Sequence, residues 1–250
     1  MARRPGAEYL FWVGCTGALV ERCVAVTRAV ASLLLKGGVD FAVLGQEETC
    51  TGDPARRLGN EYLFVTLARR NIETFARYGV RKIITLCPHC YNILRHEYRQ
   101  LGGHYEVQHY SEVVARLVRE GRLRASEAGA AHTISYHDPC YLGRHNGVYD
   151  APRRAARAVP GLELREMRLH RDAALCCGGG GGRTWMEETG TRMSHVRTDH
   201  FLDTGAQTLA VACPFCLQMF EEAVLAKGAQ DSRRVLDLAE ILDEGLEGGP

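Results

Sequence analysis

The chain has 250 residues, of which 46% are hydrophobic and 24% charged, and its formal net charge is +1. This composition is typical of a globular protein with one large or two small domains. The small net charge gives no reason to expect nucleic acid or an anionic membrane as the main partner. No run of about 18 apolar residues that would span a bilayer appears. The N-terminus shows no apolar signal-peptide run either, so we expect a cytoplasmic protein that meets the inner membrane face only through a partner.

The predicted elements of the first part of the chain alternate between strands and helices. A strand at 8–14 ends at Cys15, a helical pattern covers 19–38, and a second strand at 40–45 precedes a loop with Cys50. A long amphipathic helix follows at 61–79, and a third strand at 81–86 leads directly into Cys87-Pro-His-Cys90. A fourth short strand is expected at 105–110.

The second part of the chain repeats this order. It predicts a strand ending at Cys140, a strand at 162–167, the run Cys-Cys-Gly-Gly-Gly-Gly-Gly at 176–182, and a helix from about 184 to 204. A strand then leads into Cys213-Pro-Phe-Cys216, and a final helix follows. The last eight residues, 243–250, are typical of a frayed tail.

Four cysteines recur at almost one offset, which indicates an internal duplication. Cys15 and Cys140 are 125 residues apart, and the pairs Cys50–Cys176, Cys87–Cys213 and Cys90–Cys216 are each 126 apart. We therefore expect two copies of one unit, roughly 8–122 and 132–227, and divide the chain into domains 1–122 and 123–250. The predicted fold class is α/β, with two similar halves that each contain a small parallel sheet covered by helices.

The cysteines are expected to converge, because several of them directly follow strands. Ligands of parallel sheets bind beyond the carboxyl ends of the strands. Thiols in a cytoplasmic protein stay reduced, so ten cysteines favour metal or redox chemistry over disulfides. Cys23 has no counterpart in the second half and lies in an apolar helical pattern, so we expect it to be a small buried residue.

The Cys-Pro-x-Cys motif suits a metal centre. Proline favours the first turn of a helix, where free N–H groups favour bound negative charge and lower the pKa of a thiol. A structural zinc ion is the main alternative, since zinc also takes four thiolates. Two observations favour an iron–sulfur cluster: each half has ample apolar core, and the second half has five cysteines where zinc needs four. Gly178, Gly179 and Gly180 let the backbone approach a cluster closely, although glycines are also typical of a flexible loop.

The order Cys140, Cys176-Cys177-Gly178, Cys213-Pro-Phe-Cys216 resembles the CCG-domain family. This family includes the catalytic subunit of heterodisulfide reductase and the glycolate and lactate oxidase iron–sulfur subunits. The stretches FWVGC, ETCTGDPARRLGNEYLF and YHDPCYLGRHN are especially similar to the iron–sulfur reductases associated with electron-transfer flavoprotein. The resemblance covers about residues 9–222. It implies that the five second-half cysteines, Cys140, Cys176, Cys177, Cys213 and Cys216, hold a non-cubane [4Fe–4S] cluster.

The first half departs from that pattern at one position. Thr51 stands where the second cysteine of the pair would be. The remaining four, Cys15, Cys50, Cys87 and Cys90, suffice for a second iron–sulfur cluster of cubane type or for zinc, and both stay open. Asp53 is a possible oxygen ligand, although Asp before Pro is more often a turn or cap residue. One thiolate fewer carries less negative charge, which favours reduction of the first site.

His137 and Asp138 precede Cys140, and we predict that they deliver protons near the second cluster. His89, inside the first Cys-Pro-x-Cys, has the same potential role. An ordinary structural histidine is the alternative in each case.

Two sites of this kind predict an iron–sulfur oxidoreductase subunit. It would take electrons from an electron-transfer flavoprotein, another flavoprotein dehydrogenase or a ferredoxin-like subunit, and deliver them to a quinone or a disulfide. The resemblance favours the quinone. The alternative is a non-catalytic scaffold with structural zinc or iron–sulfur sites. A thiol oxidoreductase that uses Cys-Pro-x-Cys directly fits less well, because too many other cysteines recur at the same offset as the two motifs.

Overall fold

The structure is a computed structural model that describes residues 1, 4, 6–126 and 132–249. In the first half the strands are β1 (Tyr9–Trp12), β2 (Phe41–Ala42), β3 (Lys82–Thr85), β4 (Glu106–His109) and β5 (Leu123–Ala125). The helices are α1 (Gly14–Leu19), α2 (Glu21–Lys36), α3 (Asp53–Arg57), α4 (Glu61–Arg77), α5 (Pro88–Asn92) and α6 (Tyr110–Arg119). A π-helical turn at Ile93–Glu97 and a 3₁₀ turn at Tyr98–Leu101 extend α5.

The second half follows the same plan. Its strands are β6 (His132–Tyr136), β7 (Leu162–Leu164), β8 (Thr208–Val211), β9 (Arg234–Asp237) and β10 (Leu246–Gly248). Its helices are α7 (Asp150–Arg157), α8 (Met193–Leu202), α9 (Pro214–Ala226) and α10 (Leu238–Gly245). Among the described residues, every helix is too short or too polar to traverse a lipid bilayer.

Each half contains one parallel four-stranded sheet, and the two sheets have the same strand order. The order is β2-β1-β3-β4 in the first and β7-β6-β8-β9 in the second. The central strands β1 and β8 are buried along their whole length, because helices cover both faces of the sheet. The predicted α/β fold with two similar halves is confirmed, and the shared strand order supports the predicted duplication.

The halves are interleaved through their last helices. α6 of the first half packs on α7 of the second, and α10 of the second half packs on α2 of the first. Arg22 on α2 forms ion pairs with Glu221 and Glu240, and Lys36 bonds Asp243. The domain boundary at residue 122 stays a prediction, since contacts of this kind join the two parts in space.

Two equivalent helix starts meet at the centre of this interface. His109 caps α6 and Asp237 caps α10, each in a capping box with the glutamate three residues on. The hydroxyl of Tyr110 donates a 2.5 Å hydrogen bond to the Asp237 carboxylate. Burial raises the pKa of Asp237 to about 7, because the charged form is poorly solvated there.

Two predicted elements differ from the structure. The helix expected over 184–204 is shorter, because Arg183–Trp185 forms a 3₁₀ turn and the helix begins only at Met193. The tail expected to fray over 243–250 is ordered through residue 249: α10 continues to Gly245, and β10 pairs antiparallel with β5. The tail carries few apolar residues, so its composition does not indicate the strand pairing that holds it.

Replacing Leu242 on α10 with alanine tests the role of this end of the chain. The side chain is fully buried, so we expect the free energy of unfolding to fall by about 2–5 kcal/mol, the usual cost of such a cavity. Urea unfolding of the anaerobic protein, followed by circular dichroism, measures it. Glu244→Ala, at an exposed position of the same helix, is the control. Equal stability of the two variants would mean that the tail is frayed after all.

Candidate metal centres

The four first-half cysteines lie around one small pocket at the carboxyl ends of β1 and β3. Its lining includes Cys15 on α1, Cys50 in the loop after β2, and Cys87 and Cys90 at the start of α5. Proline occupies the first turn of α5, as the motif predicted. Four sulfurs from three separate segments therefore face a single space.

The five second-half cysteines also form one cluster. The Sγ atoms of Cys140 and Cys176 are 3.8 Å apart, and those of Cys177 and Cys216 are 3.3 Å apart. Cys213 bonds Cys216 within the motif that begins α9. Sulfurs at such distances fit a shared metal group, and five of them exceed the four that tetrahedral zinc takes.

The loops that carry the paired positions have the same conformation in both halves. Gly52 and Gly178, 126 residues apart, both have a φ of +88°, a backbone conformation that favours glycine. The N–H of Gly52 points at Cys50 Sγ at 3.4 Å, and the N–H of Gly178 points at Cys176 Sγ at 3.3 Å. Because the loops match, Thr51 occupies the place that Cys177 has in the second half.

Thr51 keeps even the contact of its counterpart. Its Oγ1 lies 3.8 Å from Cys90 Sγ, as Cys177 Sγ lies 3.3 Å from Cys216 Sγ. Thr51 is 2% exposed and Cys177 is 3% exposed. At this position the two sites therefore differ only in that the first has a hydroxyl where the second has a thiol, on loops of the same conformation.

The glycines after Cys177 have two different structural roles: one directs its N–H at sulfur, and two leave no room for a side chain. The N–H of Gly179 lies 3.5 Å from Cys177 Sγ, and a Cβ at Gly179 would come within 2.7 Å of Met219. A Cβ at Gly180 would come within 3.1 Å of the His89 ring. Backbone N–H groups aimed at sulfur and positions without room for a side chain are what a bulky anionic cluster requires.

The two sites meet through equivalent residues of their Cys-Pro-x-Cys motifs. The thiols of Cys87 and Cys213 interact with each other across the interface of the halves. The next equivalent pair, His89 and Phe215, packs edge to face with ring centroids 4.8 Å apart. The equivalent starts of α5 and α9 therefore lie next to each other, and the two sites are neighbours.

His89 belongs to the first motif but lies between the sites. Its Nδ1 is 3.0 Å from the carboxylate of Asp53, which Arg57 also binds, and its ring packs against that of Tyr141 at a tilt of 33°, with centroids 4.3 Å apart. Burial opposes protonation, but the hydrogen bonds to Asp53 and Cys213 raise the pKa of His89 to about 10. Asp53 starts α3, and its carboxylate is occupied by His89 and Arg57, so its contacts are those of a structural residue.

Asp138 and His137 lie next to each other but face different partners. Both carboxylate oxygens of Asp138 accept hydrogen bonds from the buried Arg153, at 2.7 and 2.9 Å. These contacts fix the loop after β6, and proton delivery by Asp138 stays a prediction that they do not favour. His137, in contrast, has a ring nitrogen within 4.8 Å of the Sγ atoms of Cys177 and Cys216. Burial lowers the pKa of His137 to about 3.

Two residues near the sites were not foreseen from the sequence. The Glu48 carboxylate accepts hydrogen bonds from the N–H groups of Val13 and Gly14, at 3.2 and 2.5 Å, where α1 begins. Burial raises its pKa to about 7. Arg197 on α8 is fully buried and bonds His137. Neither residue belongs to a motif, so only their places in the fold bring them to the cysteines.

The donor set fits a cluster better than a lone ion in the second half. The hydrogen bond between Cys140 and Cys176 lowers the pKa of Cys176 and raises that of Cys140, so one thiolate of this pair is favoured in the protein as it stands. A nitrogen of the buried His137 and one of the buried Arg197 have no partner among the described residues. Buried donors without a partner require an acceptor, and thiolates and sulfides supply one.

Cys23 is fully buried within α2, as predicted.

A groove opens beside the first site. It measures about 570 Å³, and its lining is mainly apolar, including Ala18, Leu19 and Val43 next to Cys15 and Cys50. Leu19 is 83% exposed on this face. The first site thus has an apolar approach from the surface.

Known proteins share both the cysteine pattern and most of the chain. The EtfAB:quinone oxidoreductase of Syntrophomonas wolfei is 46% identical over 96% of this chain and 34% of its own length. The probable iron–sulfur-binding oxidoreductase FadF of Bacillus subtilis is 44% identical over 96% of the chain and 34% of its own length. One subunit of the dihydromethanophenazine:CoB–CoM heterodisulfide reductase of Methanosarcina barkeri is 33% identical over 96% of this chain and 59% of its own length.

The chain spans about a third of the length of the first two relatives. Among solved structures, glutamate racemase from Francisella tularensis covers 98% of this chain and 79% of its own, with 13% identity and a TM-score of 0.38, which supports no conclusion.

The model of the cysteine-rich CCG domain matches twice, at residues 9–95 and 134–221, and each match contains all the proposed ligands of one half. The two matches cover well over half of the chain. The chain therefore belongs to the CCG cysteine-rich domain family, as an iron–sulfur protein related to heterodisulfide reductase and EtfAB:quinone oxidoreductase.

Proposed function

We propose that the chain is an electron-transferring iron–sulfur subunit with one metal centre in each half. Cys140, Cys176, Cys177, Cys213 and Cys216 hold a [4Fe–4S] cluster of non-cubane type. Cys15, Cys50, Cys87 and Cys90 hold a second iron–sulfur cluster. The observation that carries the proposal is that each half gathers its cysteines at one place, and that His89 of the first motif packs on Phe215 of the second, which makes the two sites neighbours.

The neighbouring sites suit a two-electron reaction. When bound, iron–sulfur clusters supply one-electron transfer. A quinone takes two electrons and two protons to become a quinol, and a disulfide takes the same to become two thiols. Cys87 and Cys213 shorten the path between the sites, and the glycine N–H groups stabilise negative charge on the sulfurs at each.

The donor and the acceptor are inferred from chemistry and from the relatives. A reduced flavin of an electron-transfer flavoprotein or a dehydrogenase, or a ferredoxin-like subunit, supplies the two electrons. The apolar groove beside Cys15 and Cys50 suits a quinone ring better than a polar disulfide.

A structural role remains the second candidate, and it rests on the first half alone. Four thiolates around one small pocket also suit zinc. Metal analysis separates the two: zinc without acid-labile sulfide would make the chain a scaffold.

Removing one second-half thiol tests the ligand set. Cys177→Ser takes away a thiolate inside the five-sulfur cluster, so we expect the loss of about half of the iron and of one paramagnetic signal. Iron and acid-labile sulfide per chain, measured on anaerobic protein, give the result. Cys23→Ala, which removes a buried thiol outside both sites, is the control and should keep full iron. Full iron with an unchanged signal in Cys177→Ser would rule out the five-cysteine set.

Restoring the missing thiol tests the first site. In Thr51→Cys the new sulfur would lie beside Cys90 in the frame that Cys177 has beside Cys216. We expect the first-site signal in electron paramagnetic resonance to change toward that of the second site, while the second stays as it was. Thr74→Cys, a buried helix position outside the sites, should change neither. Two indistinguishable signals in the wild type would show that Thr51 makes no difference.

A charge in the groove tests the acceptor. Leu19→Glu places a carboxylate beside Cys15, and we expect reoxidation of the reduced protein by a short-chain quinone to slow by about tenfold or more, because a quinone that binds in the groove would remove water from that charge. Stopped-flow absorbance gives the rate. Leu225→Glu, on the exposed face of α9, is the control. If a small disulfide reoxidises the protein and quinone does not, the quinone assignment is wrong.

A further inference from the structure

His137 and Arg197 are buried side chains with atoms that lack partners. Both residues have 0% exposure. Nε2 of His137 and one terminal nitrogen of Arg197, Nη2, have no hydrogen-bond partner among the described residues. Arg197 bonds the Leu169 carbonyl and nitrogens of His137 and His200, and it makes no ion pair with a carboxylate in the described part of the chain. A buried cation with this surrounding calls for an anion nearby.

The bond between the two residues fixes the histidine tautomer. Nε of Arg197 lies 3.4 Å from Nδ1 of His137. A guanidinium Nε–H only donates, so Nδ1 must accept and the single ring proton must be on Nε2. One ring nitrogen of His137 lies within 4.8 Å of the sulfurs of Cys177 and Cys216, and since Nδ1 accepts from Arg197, Nε2 carries the only N–H that the ring can offer them. This geometry offers an N–H to the sulfurs, not a lone pair to a metal.

The first half has a related donor without the charge. Trp12 stands at the position equivalent to His137, since 137 − 125 = 12, and its indole Nε1–H is also buried without a partner among the described residues. That Nε1 and Cys90 Sγ both lie within 4 Å of the point where a Cβ on Gly14 would be. Each site therefore has one ring N–H from the strand that precedes its first cysteine.

The half that has the additional thiol, Cys177, also has a charged side chain where the other half has a neutral one. Asn71 stands at the position equivalent to Arg197, since 197 − 126 = 71, and it is neutral. Its amide bonds the Cys50 carbonyl and the Tyr98 hydroxyl. At these two pairs of positions the second half thus has one thiol more than the first, Cys177, and one cation more, Arg197.

We propose that Arg197 and His137 compensate the charge of the fifth thiolate in the second site. Arg197 supplies a buried positive charge and holds His137 so that its Nε2–H points at the sulfurs of Cys177 and Cys216. Both effects stabilise the more negative, reduced form of the site and shift its midpoint potential to more positive values. The inference rests on the proposed function, and it makes His137 a hydrogen-bond donor instead of a source of protons.

The proposal changes the expected difference in reduction potential between the two sites. Counting sulfurs alone makes the second site harder to reduce than the first. With Arg197 and His137 in place, the charge of the fifth thiolate is offset. The variants below separate these two contributions, because they leave all nine cysteines of the sites unchanged.

Redox titration monitored by electron paramagnetic resonance tests the proposal. His137→Phe removes the N–H and keeps a ring of similar size, so we expect the second-site midpoint potential to become more negative at unchanged iron content. His137→Gln retains an N–H donor and should restore much of the wild-type potential. Arg197→Met should shift the same site in the same direction, and Arg197→Lys should shift it less. Trp12→Phe is the matched control: it should leave the second site unchanged.

The proposal can also be tested on the wild-type protein, which avoids the question of whether a variant folds. Protein labelled with ¹⁵N-histidine is reduced and examined by pulsed electron paramagnetic resonance. A weak nitrogen coupling at the second site is expected from an N–H···S contact. The strong coupling of a metal-bound nitrogen, or no coupling, would overturn the proposal.

Other outcomes are equally decisive. Unchanged potentials in His137→Phe and Arg197→Met would overturn the proposal while leaving the proposed function intact. Loss of second-site iron in both His137→Phe and His137→Gln would make His137 a ligand and would overturn it as well. Wild-type protein without iron or labile sulfide would instead refute the proposed function, and this inference with it.

Discussion

The closeness of the two sites depends on one place in the interface of the halves, where the thiols of Cys87 and Cys213 are near enough to shift each other's pKa. Each residue is the last before a helix that begins with proline, and each helix starts at the carboxyl end of a central parallel strand. Because both halves have the same strand order, the equivalent ends can face each other. Interleaved helices then hold that arrangement: α10 covers α2, and α6 covers α7.

Much of this could be predicted from the sequence because the duplication appears directly in the spacing of the cysteines. An offset of 125 or 126 residues, with strands before Cys15, Cys87, Cys140 and Cys213, predicts equal halves with cysteines at the strand ends. The buried central strands and the amphipathic helices were foreseen for the same reason, since local periodicity reports burial. The fifth cysteine of one half and its absence in the other could also be read from the sequence.

The rest depends on contacts between parts of the chain that are distant in sequence. The position of His89 between the sites follows from packing on Tyr141 and Phe215, which belong to the other half. The order at the end of the chain comes from pairing between β5 and β10, which lie more than 100 residues apart. Glu48 and Arg197 carry no motif, and their roles appear only where the fold places them beside Gly14 and His137. Periodicity cannot report such contacts, because it describes one segment at a time.

The asymmetry of the sites has a physical logic that the sulfur count alone does not capture. A thiolate added to a buried site raises its negative charge, and the low dielectric of the interior makes that charge costly unless a cation or N–H group compensates it. In the first half the position of the fifth thiol is a hydroxyl, Thr51, and the position equivalent to the buried cation is the neutral Asn71. In the second half the same two positions are Cys177 and Arg197. The two differences are consistent with each other electrostatically: where the thiol is present, the cation is present too. At these two positions the negative charge of the additional thiolate and the positive charge of Arg197 oppose each other, so a count of thiols alone does not give the difference in charge between the halves.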